Sequence, residues 1–226
     1  MWLSIDPMSD KYPSISPYSY CAWNPVKLVD PDGREIWITG SDGTSYRYRK
    51  GKLYTIDGQL YTGNDVFARQ VSSDITALKK SGLWMRRKIS KMEKSDKRIT
   101  VNESTENNQR SLDKEGQRDS KVGSGSIINY NPNKNKSADG PREPRFGLAH
   151  ELGHAYDAMM GIIDDTKCAV YKPINNGEEL LRGELPKSEI EAVKFENMAR
   201  PKNNKRTTYD GYVLLFYLNN CGGSID

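Results

Sequence analysis

Short apolar runs separated by turn-like breaks make up the segment from residue 35 to residue 62. The runs "EIWIT", "SYRYRK" and "KLYTI" are rich in aromatic and β-branched residues, which is typical of β-strands. The breaks "GSDGT", "KG" and "DGQ" contain residues that tight turns favour, so the pattern predicts a meander of hairpins. "RITV" at 98–101 and "SIINYNP" at 126–132 predict two further strands, while the polar, Gly/Ser-rich residues 103–126 predict a loop.

Helical spacing of apolar residues replaces this pattern from residue 64 onward. Asn64 or Asp65 can cap a helix that continues to about Lys80. The apolar residues of this helix are Val66, Phe67, Val71, Ile75 and Leu78.

A second helix is predicted after Gly82, with Trp84, Ile89 and Met92 on one side. The stretch around it is strongly basic. Its cations are Lys79, Lys80, Arg86, Arg87, Lys88, Lys91, Lys94, Lys97 and Arg98. A charge run of this kind is usually a solvated helix face, and a binding surface for an acidic partner or substrate is the alternative.

Composition limits the class of protein only mildly. The chain has 226 residues, which allows one good-sized domain, or a small module plus a domain of ordinary size. Its formal net charge is +4, and its mean hydropathy of −0.79 favours long polar loops. This charge does not by itself indicate a nucleic-acid-binding protein.

The run "YVLLFYL" at 212–218 is too short to cross a membrane and predicts a buried strand or helix segment. Three cysteines form no disulfide framework, and the first residues lack the pattern of a secretory signal.

The third predicted helix begins near Pro144 and holds both histidines of the chain, in the sequence "HELGH". Positions i and i+4 of a helix face the same way, so His150 and His154 can share one tetrahedral metal ion. Glu151 points in a neighbouring direction and can hold and deprotonate a water molecule without being a ligand. The pattern H-E-x-x-H therefore predicts a zinc hydrolase.

A zinc hydrolase needs a third protein ligand, and the chain has no third histidine. A thiolate would quench the Lewis acidity of the ion, so the ligand is expected to be a carboxylate. The helix predicted over "PKSEIEAVKFENMAR" at 186–200 offers Glu189 in its first turn, and this is the preferred ligand. Glu196 is the alternative; otherwise it is expected to contact a ligand or to pair with Arg200. The more distant alternatives are Glu178 and Glu179.

Other residues have predicted roles beside this motif. Gly153 costs helix propensity, which a helix tolerates where another backbone element packs closely. Asp157, three residues after His154, can orient that imidazole without touching the metal, and a plain surface acid is the alternative. Hydrolysis also needs a donor for the oxyanion of the tetrahedral intermediate, and "KRTTYDGY" offers Tyr209, with Arg206 as the alternative.

Two elements near the start of the chain carry a family resemblance. They are Asp6–Pro7 with "YSYCAWNP" at 18–25, and "DPDGR" at 30–34. These residues resemble the C-terminal end of the RHS repeat-associated core, a module that precedes variable toxin domains in bacterial polymorphic toxins. The resemblance implies a boundary between residues 1–34 and a toxin domain of residues 35–226. It also implies self-cleavage near Arg34, with Asp30 and Asp6 as the acids.

A second resemblance covers residues from about 120 to 212. It rests on "SIINYNP", "LAHELGHAYD", "SEIEAVKFENMAR" and "RTTY" in that order. These motifs resemble the zincin metallopeptidase effector domains of such toxins, and the zinc protease effectors of type III secretion systems in enteric pathogens. The resemblance implies His150, His154 and Glu189 as zinc ligands and Glu151 as the catalytic base. It also implies that "SIINYNP" is the edge strand on which an extended peptide docks.

The sequence therefore predicts an α+β, zincin-like domain of the gluzincin type, with a small sheet and an active-site helix, preceded by an irregular segment. The predicted function is a secreted toxin, delivered into a target cell by a bacterial secretion system, that hydrolyses a protein with Zn²⁺. The expected partners are a protein or peptide substrate, a cognate immunity protein and the RHS shell of the parent toxin, with no nucleic acid and no membrane span. The alternatives are a non-enzymatic binding module that uses the basic stretch 79–98, and a toxin of another chemistry such as a nuclease.

Overall fold

The computed structural model describes residues 36–174, 179–209 and 212–213, which form four α-helices, a six-stranded mixed sheet and two smaller sheets. The helices are α1 (Val66–Lys80), α2 (Leu83–Met92), α3 (Pro144–Met160) and α4 (Lys187–Ala199). The strands are β1 (Ile36–Thr39), β2 (Ser45–Arg49), β3 (Lys52–Tyr54), β4 (Ile99–Glu103), β5 (Asn108–Ser111), β6 (Ser126–Tyr130), β7 (Lys136–Ser137), β8 (Gly140–Pro141), β9 (Lys167–Ile174), β10 (Glu179–Pro186), β11 (Thr208–Tyr209) and β12 (Tyr212–Val213). The predicted α+β class is confirmed, while the segment 1–34 lies outside the described residues.

The main sheet has the strand order β3-β2-β1-β4-β6-β5. The central pairs β1–β4 and β4–β6 are parallel, whereas β1–β2, β2–β3 and β5–β6 are antiparallel. The predicted hairpin meander is therefore confirmed, and so are the strands predicted from "RITV" and "SIINYNP".

Two predictions about this sheet are wrong. Residues 103–126, predicted as a loop, contain β5 and a 3₁₀ turn at Gly116–Arg118. The strand β6 is paired on both sides, so the edge strand next to it is β5. Ile128 and Tyr130 of β6 are fully buried, which suits a strand inside the sheet. The polar sequence "NQRS" of β5 suits an edge strand. Because β5 has no apolar alternation, pattern analysis did not detect it.

One hydrophobic core joins the main sheet to the helices. The strands contribute alternate residues, as expected when one face of a sheet is covered. The fully buried residues of this core include Ile36, Ile38, Ile99, Val101 and Ile128 from the sheet, and Ile75, Ile89, Leu148 and Leu152 from the helices. Trp84 was predicted on the inner side of α2 but is 65% exposed, because the buried stripe of this helix begins one residue later, at Met85.

Helix α3 packs closely against α4. A Cβ atom added to Gly153 would lie 2.9 Å from Cβ of Phe195 and 3.1 Å from Cα of Ala192. The close approach predicted at Gly153 is thus confirmed. Pro144 occupies the first turn of α3, and Gly161 ends the helix in the left-handed region, with φ of 65°. The helix is consequently held at a fixed distance from the element that carries the third predicted ligand.

A second sheet, with the order β10-β9-β12-β11, flanks the start of α4. Its β9–β10 hairpin leads directly into α4, and Val170 and Leu185 of the hairpin pack against Val193. Tyr209 packs beside this cluster. Of the apolar run 212–218, only residues 212–213 are described, as β12.

Candidate active site

Three donor atoms converge where the middle of α3 faces the first turn of α4. His150 and His154 are one helical turn apart, with their ring centroids separated by 5.0 Å. The Oε2 atom of Glu189 lies 3.2 Å from Nε2 of His150 and 3.5 Å from Nε2 of His154. The three ligand atoms lie within 4.8 Å of one another, so this group could hold one metal ion.

The charges of these three groups are strongly coupled. Burial opposes ionisation of Glu189, but hydrogen bonds and attraction from the two imidazoles outweigh it and hold the pKa of this carboxyl well below its usual range. Burial likewise lowers the pKa of His150, but Glu189 and Glu196 outweigh it and raise the pKa above the usual value. The ionised carboxylate of Glu189 therefore favours positive charge at this point of the cleft. A divalent cation would meet the same three atoms.

Glu151 lies beside this cluster in a poorly solvated position. Its side chain contributes to the wall of the cleft that contains the donors, although only 7% of the residue is exposed. Burial is the largest influence on its pKa, which is raised above the usual value of a glutamate. A carboxylate whose affinity for protons is increased in this way suits a group that accepts a proton and releases it again.

Glu196 is completely buried on the opposite side of His150. Its Oε2 atom lies 3.5 Å from Nδ1 of His150, and this nitrogen has no hydrogen-bond partner among the described residues. Arg200 donates to Oε1 from Nε and Nη2 at 2.9 and 2.7 Å, and Arg142 and Arg206 donate to Oε2 at 3.3 Å. Burial opposes ionisation, but His150, Arg142 and Arg200 lower the pKa of Glu196 to about 2. The expected pairing with Arg200 is present, and the carboxylate faces the imidazole nitrogen that points away from Glu189.

Tyr209 and Arg206, the two predicted oxyanion donors, are placed differently. The ring of Tyr209 stacks on the imidazole of His150, with centroids 5.8 Å apart and planes inclined by 22°, and it lines the cleft. The guanidinium of Arg206 lies over the ring of Tyr209, 4.8 Å from its centroid. It is also engaged in ion pairs with Glu196 and, at 2.7 Å, with Asp139. Arg206 therefore supports the site from behind, and Tyr209 is the candidate donor that faces it.

The remaining candidates do not join the cluster. Asp157 is half-buried, and no hydrogen bond joins it to His154 within the described ranges. Burial raises the pKa of Asp157 to about 6, against the attraction of Lys88 and His154. Asp6, Asp30 and Arg34, expected to take part in self-cleavage, lie outside the described residues, as do Glu178 and the side chain of Glu179.

The cleft around the donors has a volume of ≈ 310 Å³ and a strongly polar wall. Residues 107–109, at and before the start of β5, form part of this wall with their amide side chains. Asp165 forms another part; it accepts a hydrogen bond from Ser188 at 2.8 Å and pairs with Arg118. Sequence analysis missed these residues, because isolated Asn, Gln and Asp residues in polar segments carry no distinctive spacing.

Comparisons with known proteins identify the family of the chain. No curated protein matches the chain. Within the described ranges, no helix combines the length and the apolar character that crossing a bilayer requires. The model of the peptidase M91 family, described as effector proteins, matches residues 57–212 and thereby includes α1 to α4 and every donor of the cluster. The chain belongs to this family of peptidase-type effector proteins.

Proposed function

We propose that this effector is a zinc-dependent metallopeptidase. The observation that carries the proposal is the convergence of His150, His154 and Glu189 beside the buried Glu151, in a chain that belongs to a peptidase family. Two imidazole nitrogens and one carboxylate oxygen are the donor set of many catalytic zinc sites, which leave one position open. With Glu189 as the third ligand, the chain can hold zinc although it has only two histidines.

Zinc held by these three residues would supply Lewis acidity, polarising the scissile carbonyl and lowering the pKa of water. Glu151 holds the attacking water and takes its proton on the carboxylate. The same carboxylate then passes that proton to the nitrogen of the leaving amine. Its raised pKa serves both steps, because burial favours the protonated intermediate state of the glutamate.

Two further residues are assigned supporting roles. Tyr209 donates its hydroxyl hydrogen to the oxyanion that develops on the substrate carbonyl. The carboxylate of Glu196, 3.5 Å from Nδ1 of His150, favours a hydrogen on that nitrogen and so keeps the lone pair of this imidazole on Nε2. Replacement Tyr209→Phe is expected to lower kcat while leaving metal content unchanged.

The edge strand β5 is the proposed docking site of the substrate. The N–H of Leu112 donates to the carbonyl of Gly125 at 2.9 Å, which fixes the phase of the β5–β6 ladder. Since hydrogen bonds alternate along an antiparallel pair, the backbone groups of Gln109 and Ser111 face away from β6. An extended peptide can add to these groups as a further strand, with one carbonyl entering the cleft lined by Gln109.

The wider biological setting is also part of the proposal. The resemblance of residues 1–34 to the end of an RHS core supports a toxin that is released from an RHS shell and delivered into a target cell. Such a toxin requires a cognate immunity protein in the producing cell. Cleavage near Arg34 would release the domain of residues 35–226.

The test measures metal content and peptide-bond cleavage on the same preparations. We expect about one zinc per chain in the wild type, loss of zinc in Glu189→Ala, and full zinc in Glu191→Ala, which changes a partly exposed glutamate of the same helix. Glu151→Gln should retain zinc but generate no new N-termini when incubated with a library of proteome-derived peptides. Absence of zinc from reconstituted wild type, or cleavage by Glu151→Gln, would refute the proposal.

A further inference from the structure

The exposed side of α2, together with the end of α1 and the turn after α2, carries a cluster of cations that the peptidase site does not use. We call it the α2 basic patch; it consists of Lys80, Leu83, Trp84, Arg86, Arg87, Lys91 and Lys94. All seven residues are exposed. Trp84, Arg87, Lys91 and Lys94 follow one another at helical spacing, so they form a continuous stripe. None of these residues lines the cleft that holds the metal-binding group.

Within the part of the chain that the structure describes, the five cations of the patch form no ion pair. The nearest acid along the helix, Glu93, is instead paired with Lys79 at 2.6 Å. Lys88, on another side of α2, is also occupied, with its ammonium 4.0 Å from the ring centroid of Tyr156. The patch therefore presents a positive potential that is available to an external anionic surface.

The patch also exposes apolar side chains where the cations are densest. Leu83 is 49% exposed and Trp84 is 65% exposed, and the guanidinium of Arg87 lies 5.3 Å from the Trp84 ring centroid. Beside them, Arg87, Lys91 and Lys94 border a groove of ≈ 600 Å³ whose floor includes Met159 and Met160. Leu83 and Trp84 thus add two adjacent apolar side chains to the cationic surface of the patch.

We propose that the α2 basic patch docks the protein on membranes that contain anionic lipids. The cations would bind the headgroup phosphates and carboxylates, and Leu83 and Trp84 would insert at the level where Trp side chains are favoured in bilayers. Leu83 distinguishes this ligand from a nucleic acid, whose bases can stack on Trp84 but offer no apolar layer for an aliphatic side chain. Docking in this way leaves the cleft free for substrate.

The experiment is co-sedimentation of the full chain with vesicles of phosphatidylcholine, with or without about 30% phosphatidylserine, at about 0.1 M salt. We expect binding only to the anionic vesicles. The triple variant Arg86→Glu/Lys91→Glu/Lys94→Glu should bind at least about 10-fold more weakly. Trp84→Ser, which preserves the charge, should also bind more weakly, by about 3-fold or more. Far-UV circular dichroism checks that each variant is folded.

The matched control is Lys114→Glu/Lys136→Glu/Lys167→Glu, which makes the same change in net charge at three exposed lysines outside α1 and α2. It should bind the anionic vesicles like the wild type. An equal loss of binding in this control would overturn the proposal, since net charge alone would then account for binding. Failure of the wild type to sediment, an unchanged Trp84→Ser, or retention by polyuridylate RNA but not by vesicles would overturn it too.

Discussion

Glu196 and His150 are in contact on the side of the imidazole that faces away from Glu189, with Oε2 of Glu196 3.5 Å from Nδ1 of His150. A carboxylate in this position selects the tautomer whose Nε2 can bind a metal. We therefore expect Glu196→Gln to weaken zinc binding about 10- to 100-fold, measured by competition with a chelating dye. Glu191→Gln, on the exposed side of the same helix, is the control and should bind zinc like the wild type.

The same replacement also tests how Arg142, Arg200 and Arg206 depend on Glu196. A neutral amide leaves these buried guanidinium groups without their shared carboxylate, so the free energy of unfolding should fall by about 3 kcal/mol. Denaturant titration of the metal-free protein measures this change apart from metal affinity. A folded Glu196→Gln protein with unaltered zinc affinity would show that Glu196 is structural only.

Gln109 provides a test of substrate docking on β5. Its N–H faces away from β6, so Gln109→Pro removes a donor from the open edge without breaking the ladder. We expect the rate of peptide cleavage to fall about 10-fold or more, mainly through KM. Gln109→Ala is the matched control, because it removes the side-chain hydrogen bond to Ser126 but keeps the N–H. Equal activities of the two variants would rule out backbone pairing at this residue.

Gly153 sets two physical effects of opposite sign against each other. Helix propensity alone predicts that Gly153→Ala stabilises the protein by about 1 kcal/mol. The added Cβ would however lie 2.9 Å from Cβ of Phe195, which is closer than packed carbons allow. We expect the steric effect to dominate, with a loss of about 1–2 kcal/mol for Ala and more for Val. Chemical denaturation measures both, and stabilisation by Gly153→Ala would contradict the packing of α3 on α4.

Asp157 predicts a dependence of stability on pH in metal-stripped protein. Burial raises its pKa from 3.8 to about 6, so between these values the folded state retains a proton that the unfolded state has lost. The contribution of Asp157 to stability is therefore lost as pH rises through this window. Asp157→Asn should match the wild type near pH 3.5 and exceed its stability by about 1–2 kcal/mol above pH 6.5. A constant difference between the two proteins across this range would contradict the raised pKa.

The part of the site that pattern analysis could predict is the part governed by local geometry. His150, Glu151 and His154 lie within one helical turn, so their spacing alone defines their relative directions. The placement of Glu189 depends on how α4 packs against α3, and the sequence could only indicate a carboxylate at the start of a helix. Gly153 was the sole local signal of that packing.

Other features have no local signature at all. The sequence "NQRS" becomes a strand only because β6 provides a partner, and its position at the edge is a property of the whole sheet. Arg142 and Arg206 approach Glu196 from separate segments, and only the pairing of Glu196 with Arg200, four residues on, has a local signature. Trp84 was misplaced because a shift of one residue along a helix rotates a side chain by about 100°.

An ion held between α3 and α4 is also a reversible crosslink. His150 and Glu189 are 39 residues apart in the chain, so one coordination sphere would join two helices that packing and a few polar side-chain contacts otherwise hold together. By mass action, zinc at about 100 times its Kd would add about 2.7 kcal/mol to the free energy of unfolding. Catalysis and the free energy of unfolding would then both depend on the zinc concentration. In a compartment poor in zinc, the protein would be inactive and less stable. Entry into a zinc-replete compartment would restore both its activity and its stability.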